Sequence, residues 1–298
     1  MVGITGASGF VGQNLVKYLS EFGISQLAIS RQELESNDFN KINSADSLVH
    51  LAGKAHDLKS TSNLDYYLKV NFELTKRIYD AFLKSSCTKF IFISSVKAVA
   101  DHLDTVLTEE LVPNPKTPYG VSKLMAEKYI QGQPLPEGKS YYILRPCMIH
   151  GPGNKGNFNL LYKFISKDFP YPLAAFNNKR SFLSIENFCF VIKNIVERTE
   201  IGSGIYNIAD NESISTNELI ELIAQSFGRK ARLWRINTKL IKSIATIGNN
   251  LPLLINTERL NKLTENYTVD NAKLREFLNT PLPVSNVEGI KRTIFSFL

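Results

Sequence analysis

The chain has 298 residues, 43% apolar and 21% charged, which suits one or two compact domains and excludes collagen, coiled coil and a disordered chain. Lysine and arginine exceed the acids by seven, and unevenly: residues 1–149 hold 16 cations against 15 acids, residues 150–298 hold 19 against 13. That asymmetry admits an anionic small ligand, nucleic acid or a membrane surface as partner, while three well-separated cysteines (Cys87, Cys147, Cys189) argue against a disulfide framework or a CxxC metal site.

The N-terminal MVGITGASGFVG has no basic region and is broken by glycines, and no apolar run reaches the 18 or so residues of a membrane span. A soluble, cytoplasmic protein with reduced cysteines is expected. Short apolar and β-branched runs begin at Val2, Gln26, Ser47, Lys89, Ser140 and Gly204, and each reads as a buried strand. Helical patterns lie between them, from Phe10, over 63–84 and over 118–130. This alternation predicts an α/β fold, a doubly wound parallel sheet with helices on both faces. After Pro146 come Gly-, Pro- and Asn-bearing loops, a helix near 184–198 and the last strand at Gly204. These read as excursions into a smaller second lobe that returns to the sheet and then leaves it for good. The expected division is residues 1–153, with return segments at about 181–210, against 154–180 and 211–298.

The segment TGASGFVG sets Gly6, Gly9 and Gly12 directly after the first strand, with Phe10 and Val11 opening a helix. Glycine there permits a tight turn, close approach of backbone to a pyrophosphate, and close packing of helix on strand; an ordinary strand-to-helix turn is the plainer reading. At the end of the second strand, where an acid would bind the ribose of NAD, stand Ser30 and Arg31. Arg31 receives a 2′-phosphate or simply faces solvent, so NAD and NADP both stay open. Asp38 and Phe39 suit an adenine edge, or a turn beside a core aromatic.

In TPYGVSK, Thr117 and Pro118 suit a helix start, so Tyr119 falls in the first turn and Lys123 one turn later on the same face. A nearby ammonium and the positive helix end favour the phenolate, which lets Tyr119 exchange a proton with a substrate hydroxyl. The same pair also occurs on ordinary surface helices. Ser95 closes the strand KFIFISS at the sheet edge where ligands bind, and it relays a proton to Tyr119 or caps the next element. Asn71 bridges backbone and lysine through water, or opens a helix.

Taken in order, TGASGFVG, HLAG (50–53), Asn71, FISS (92–95), YGVSK (119–123) and LRPxxxxGP (144–152) resemble the extended short-chain dehydrogenase/reductases over nearly the whole chain. Within them, the segments around Lys155 and Arg180 and the late LTENYTVDNAKLREFL resemble the nucleotide-sugar 4-epimerase subgroup, which acts on UDP-glucose and UDP-N-acetylglucosamine, and its 4-keto-reductase relatives. The resemblance implies a Rossmann-type domain holding NAD(P), with Leu51, Ala52, Gly53, Asn71 and Pro146 beside the cofactor. It implies a smaller C-terminal substrate-binding lobe for a UDP-sugar, catalysis by Ser95, Tyr119 and Lys123, and a homodimer joined through the helices near 63–84 and 118–131. Two departures stand out. Val96 and Lys97 replace the Asp-Glu pair of the 4,6-dehydratases, so dehydration is not expected and Lys97 joins the candidate substrate contacts. His150 replaces a tyrosine, as a substrate neighbour or a packed loop histidine.

By match to the family pattern, Arg180 is the foremost diphosphate ligand, a role arginine suits by its planar fork of donors. Asn157 and Phe158 line the substrate pocket, with a backbone contact among the options, and Arg259 and Lys155 are weaker candidates. The stretch from Gly228 to Lys242 holds six cations and no acid. With Leu240, Ile241, Ile244, Ile247 and Leu251 after it, this is a basic amphipathic pattern that packs on the second lobe or lies on anionic lipid, so a weak peripheral membrane contact stays open. No nucleic-acid module is recognisable. The expected function is a UDP-sugar 4-epimerase with bound NAD. Its rivals are an NADPH-dependent reductase of a UDP-4-keto-6-deoxy-hexosamine, favoured by Arg31, and a non-catalytic NAD(P) sensor.

Overall fold

The computed structural model describes residues 1–54, 63–154, 157–200, 202–249 and 256–297. Six strands, β1 (Val2–Thr5), β2 (Gln26–Ile29), β3 (Ser47–His50), β4 (Lys89–Ile93), β5 (Ser140–Pro146) and β8 (Gly204–Ile208), form one sheet in the order β2-β1-β3-β4-β5-β8. Every pairing in it is parallel. Both faces are covered, so successive residues of one strand enter different cores: Phe90 and Phe92 of β4 point to one side, Ile91 and Ile93 to the other. On the first side Tyr79, Phe82 and Phe90 meet at ring-centroid distances of 4.9–5.6 Å, each fully buried. Such a ring contributes up to about 3 kcal/mol by burial. The chain leaves β1 for β2 on one side and reaches β3 on the other, so strand order reverses between β1 and β3, and an open parallel sheet forms its ligand crevice at such a reversal.

Three short strands make a second sheet, β6 (Met148–His150) parallel to β7 (Lys179–Ser184) and β7 antiparallel to β9 (Ser213–Ser215). Around it lies a separate core that includes Phe158, Tyr162, Tyr171, Phe182, Ile223, Ile241 and Ile290. The chain does not leave the first core for good after β8. Helix Ala272–Leu278 returns to β8, and Val269, Leu274 and Leu278 are buried with the sheet's own residues.

Two local features set the site. Residues 64–84 run as one helical rod, but Leu68–Glu73 is π-helical between α-helices Leu64–Tyr67 and Leu74–Lys84. A π stretch inserts width into the ladder and re-aims side chains, often where function needs it. Helix Pro118–Gly132 begins as expected, with Thr117 as N-cap accepting from the Gly120 N–H and Pro118 in the first turn. Thr117 is itself held by Asp101, to which its hydroxyl donates at 2.8 Å. Lys89, at the other end of β4, donates from its buried ammonium to the carbonyls of Ile195 (2.9 Å), Val196 (2.8 Å) and Arg198 (2.6 Å), closing the C-terminal end of helix Ile185–Glu197.

Candidate active site

The glycine turn is built by backbone against backbone. A Cβ on Gly12 would lie 2.3 Å from the Gly6 carbonyl oxygen and 2.6 Å from the Ala7 Cα, and one on Gly6, at φ +72°, would lie 2.8 Å from the Ala52 nitrogen. Gly9 caps helix Phe10–Glu21 without a side-chain hydrogen bond, and no acid stands in the first turn, so that helix end presents its N–H groups. This cradle fits a pyrophosphate. Phe10 approaches the 151–153 loop, lying 3.7 Å from the Cβ that Gly151 lacks, and Val11 is half-buried beside the core. Leu51 donates from its N–H to the Thr5 carbonyl (3.3 Å), and Pro146 ends β5 opposite Ile208.

At the end of β2, Ser30 caps helix Arg31–Ser36 in a reciprocal box with Glu33, and Arg31 stands exposed with Glu35 at 2.8 Å. Asp38 caps Asn40 (3.2 Å) and Phe39 packs against the sheet core, the turn and core-aromatic arrangement.

Ser95 follows β4, and its oxygen accepts from the Lys97 N–H at 3.2 Å. Gly120 lets the next helix close onto this turn, since a Cβ there would lie 2.3 Å from the Lys97 carbonyl oxygen. The result is a hydrogen bond between Tyr119 and Ser95. Lys123 is buried, with its ammonium donating to the Ile93 carbonyl (2.8 Å) and lying 4.8 Å from the centre of the Phe92 ring. Burial lowers its pKa to about 8, opposed by Glu127. Burial also pushes the Tyr119 phenol above its ordinary value, with the Ser95 hydrogen bond opposing. Desolvation thus opposes the phenolate that a proton-taking Tyr119 needs, and the Ser95 hydrogen bond favours it.

Asn71 and Gly53, singled out from the sequence, hold this set in place together with residues that sequence reasoning passed over. Asn71, in the π stretch, donates to the Lys54 carbonyl (3.1 Å) and the Ser122 hydroxyl (3.0 Å), and its carbonyl oxygen accepts from the Lys54 N–H (2.7 Å). The Cβ that Gly53 lacks would lie 2.8 Å from that oxygen. Thr75 donates to the Asn71 main-chain carbonyl (2.5 Å) and so accepts from His50 Nε2 (2.9 Å). His50 Nδ1 then accepts from Thr5 (2.8 Å), whose oxygen accepts from the Ala52 N–H (3.1 Å). Burial lowers the His50 pKa to about 3, so the relay runs through a neutral ring. Beneath Lys123, buried Glu127 takes two arms of Arg145 (2.6 and 3.0 Å) and the Ser94 hydroxyl. The run His50–Gly53 and the spacing of Lys123 to Glu127 were the available signals.

The expected anion end is assembled from distant segments. Arg180 lies on β7 and bonds the Glu265 carboxylate (3.3 Å) and the Lys262 carbonyl. Glu265 also meets His102 (2.5 Å). Lys97 donates to the Asp101 carbonyl (2.7 Å), and its ammonium lies 4.0 Å from the centre of the Tyr267 ring. Tyr267 reaches the Ala100 carbonyl at 2.7 Å. Burial lowers the pKa of both Lys97 and Arg180, with Glu265 opposing in each case. Phe158 is buried in the second core with its ring stacked 5.8 Å from His150, so any pocket contact from it is through its backbone. His150 is fully buried and shares a 2.8 Å hydrogen bond with Thr293, the packed arrangement. Asn157 opens helix Asn157–Ser166, but its side chain, like Lys155, lies outside the described residues. Arg259 is exposed on helix Thr257–Thr264. No cluster of metal-ligating side chains occurs among the described residues.

Comparison with known proteins gives a consistent picture. Residues 2–209 match the model of the NAD dependent epimerase/dehydratase family. A UDP-glucose 4-epimerase of Vibrio cholerae is 28% identical over 99% of this chain and 94% of its own length. A GDP-6-deoxy-D-mannose reductase of Pseudomonas aeruginosa is 26% identical over 74% of this chain and 78% of its own. In three dimensions, the UDP-N-acetylglucosamine 4-epimerase from Bacillus cereus superposes with a TM-score of 0.76 over 99% of this chain and 98% of that one, at 21% identity, a likeness of fold.

Proposed function

The chain belongs to the NAD-dependent epimerase/dehydratase family, and from that premise we propose that it is a nucleotide-sugar 4-epimerase acting on a UDP-hexose or UDP-N-acetylhexosamine. The observation that carries the reading is the joining of Tyr119 and Ser95 by a hydrogen bond, one helical turn from buried Lys123, beside a glycine cradle free of side-chain caps. The full-length similarity to a UDP-glucose 4-epimerase supports it.

NAD fits the cradle of Gly6, Gly9, Phe10, Val11 and Gly12, with Ser30, Arg31, Asp38 and Phe39 toward its adenosine end and Leu51, Ala52, Gly53, Asn71 and Pro146 along the opposite wall. When bound, it supplies the hydride acceptor and donor that carry sugar C4 through a transient ketone. Tyr119 takes the proton from the 4-hydroxyl and later returns it, as a positioned acid–base of hydrogen-bonding reach. Ser95 holds the same oxygen, and Lys123 keeps positive charge under the phenol and fixes its helix face. Arg180 takes the diphosphate, with Lys97, Asn157, Phe158 and Arg259 around the substrate. Residues 1–153 with 181–210 serve the dinucleotide, and 154–180 with 211–298 the nucleotide sugar. The working form is a cytoplasmic homodimer joined through helices 64–84 and 118–132.

A second reading has its own support. Arg31 stands exposed at the end of β2 and reductases are among the relatives, as expected of an NADPH-dependent 4-reductase of a UDP-4-keto-6-deoxy-hexosamine. Purified protein given UDP-glucose or UDP-N-acetylglucosamine with catalytic NAD forms the 4-epimer, read by chromatography of the sugar nucleotides, and Tyr119→Phe abolishes turnover while still binding NAD. Stoichiometric NADPH oxidation by a 4-keto sugar, without epimer from any UDP-hexose, establishes the reductase instead.

A further inference from the structure

The basic stretch of the second lobe takes no part in the site, and its surroundings are unusual for a water-facing surface. Helix Thr238–Ile247 buries Ile241 and Ala245, yet leaves Leu240 (54% exposed), Ile244 (41%) and Ile247 (54%) in solvent. Their i, i+4, i+7 spacing sets them in one stripe along the helix. Just before it, Trp234 is 52% exposed on a segment bonded to the chain at Tyr171. Lys230, Arg235, Lys239 and Lys242 lie along the same stretch of chain, Lys239 about a quarter-turn from the stripe and Lys242 across the helix from it, and none of the four forms an ion pair among the described residues. Arg229 and Arg232 share one acid, Asp168, at 3.8 and 3.4 Å. Large aliphatic groups are poorly matched to nucleic acid, and an unbalanced row of cations is poorly matched to a second copy of this basic face. Both features suit an anionic bilayer: the aliphatic stripe and indole enter the headgroup boundary, and the long cationic side chains reach the phosphates around them.

We propose that Trp234 and the Leu240/Ile244/Ile247 stripe, with the cations beside them, dock this protein on an anionic lipid surface. The proposal is independent of which sugar the enzyme takes. No helix among the described residues is long and apolar enough to cross a membrane, so the contact is peripheral.

Trp234 is the chain's single tryptophan, so its fluorescence reports this contact alone. The full-length protein is mixed with phosphatidylcholine vesicles, with or without 30% phosphatidylglycerol, and followed by sedimentation and by Trp234 emission. Expected are binding to the anionic vesicles with a blue shift, at least tenfold weaker binding to pure phosphatidylcholine, and weakening in strong salt. Arg235→Gln/Lys239→Gln binds roughly 25-fold more weakly, about fivefold per charge. Leu240→Ser/Ile244→Ser abolishes the blue shift with the thermal unfolding midpoint and turnover unchanged, since both side chains are already exposed. Absence of binding to anionic vesicles, equal binding to both kinds, or binding without an emission shift overturns the proposal. So does an emission already blue in vesicle-free buffer, which shows the ring covered by protein, and by a second copy if the shift grows with protein concentration.

Discussion

The two ends of the candidate site are made in different ways. The glycine turn is backbone packed on backbone, where the spaces that Gly6 and Gly12 leave are already occupied by main-chain atoms. The expected anion end is side chain on side chain: Arg180, Lys97, His102, Glu265 and Tyr267 come from three separate stretches of chain and satisfy one another. A backbone-built site has one shape and fails when anything is added. A side-chain site already holds an internal anion, Glu265, and gives graded responses as its members are removed.

The largest expected effect tests the rigid end. Gly12→Ala forces a Cβ to within 2.3 Å of a carbonyl oxygen. It should destabilise the protein by about 3 kcal/mol, the upper part of the overpacking range, and sharply weaken dinucleotide binding. Gly132→Ala, with nothing within 4 Å of the added atom, should leave the unfolding midpoint unchanged or slightly raised. Equal losses in denaturant titrations of the two variants would erase the contrast.

An intermediate effect tests the graded end. Arg180→Ala should raise the KM for the nucleotide sugar roughly 10- to 100-fold, the worth of a hydrogen bond to a charged group, with kcat within about threefold of wild type. Glu265→Gln, by removing the carboxylate that occupies Arg180, should lower the same KM by less than about tenfold. Movement of both variants in one direction would show that Glu265 only positions the arginine.

The smallest effect concerns the buried lysine of the candidate catalytic set. Lys123 is an ammonium below about pH 8 and an amine above it. A turnover that needs the charge therefore falls with a midpoint near 8 rather than 10.5. Stability has the opposite sign: between pH 8 and 10.5 the unfolded chain keeps a proton that the folded one has released, so folding is favoured as pH rises. Glu127→Gln should move the midpoint of the kcat profile lower by less than about one unit. A profile flat to pH 10 would remove Lys123 from the proton-bearing set.

The same contrast explains what was legible from the residues alone. All six sheet strands begin where the apolar runs begin, because strands buried on both faces are continuous in hydrophobicity. The glycine spacing and the four-residue step from Tyr119 to Lys123 are local, and local geometry is what periodicity records. Arg180 was singled out but not its partner 85 residues away, and nothing in the spacing marks Thr5, His50 and Thr75 as one relay. The short strands β6, β7 and β9 carry too few residues to show a period. The raised pKa of Tyr119 reflects the desolvation of a whole neighbourhood, which no motif contains.

The clamp of Lys89 on the end of helix Ile185–Glu197 bears on how the molecule comes into being. Its three carbonyl partners follow it by 106 to 109 positions, and β8 follows later still. Until the chain is made as far as Arg198, the ammonium at the base of β4 has no carbonyls to receive it and keeps its water shell. The clamp therefore closes only after the nascent chain has passed the second lobe's first helix, and it ties the end of helix Ile185–Glu197 to a strand made about a hundred positions earlier.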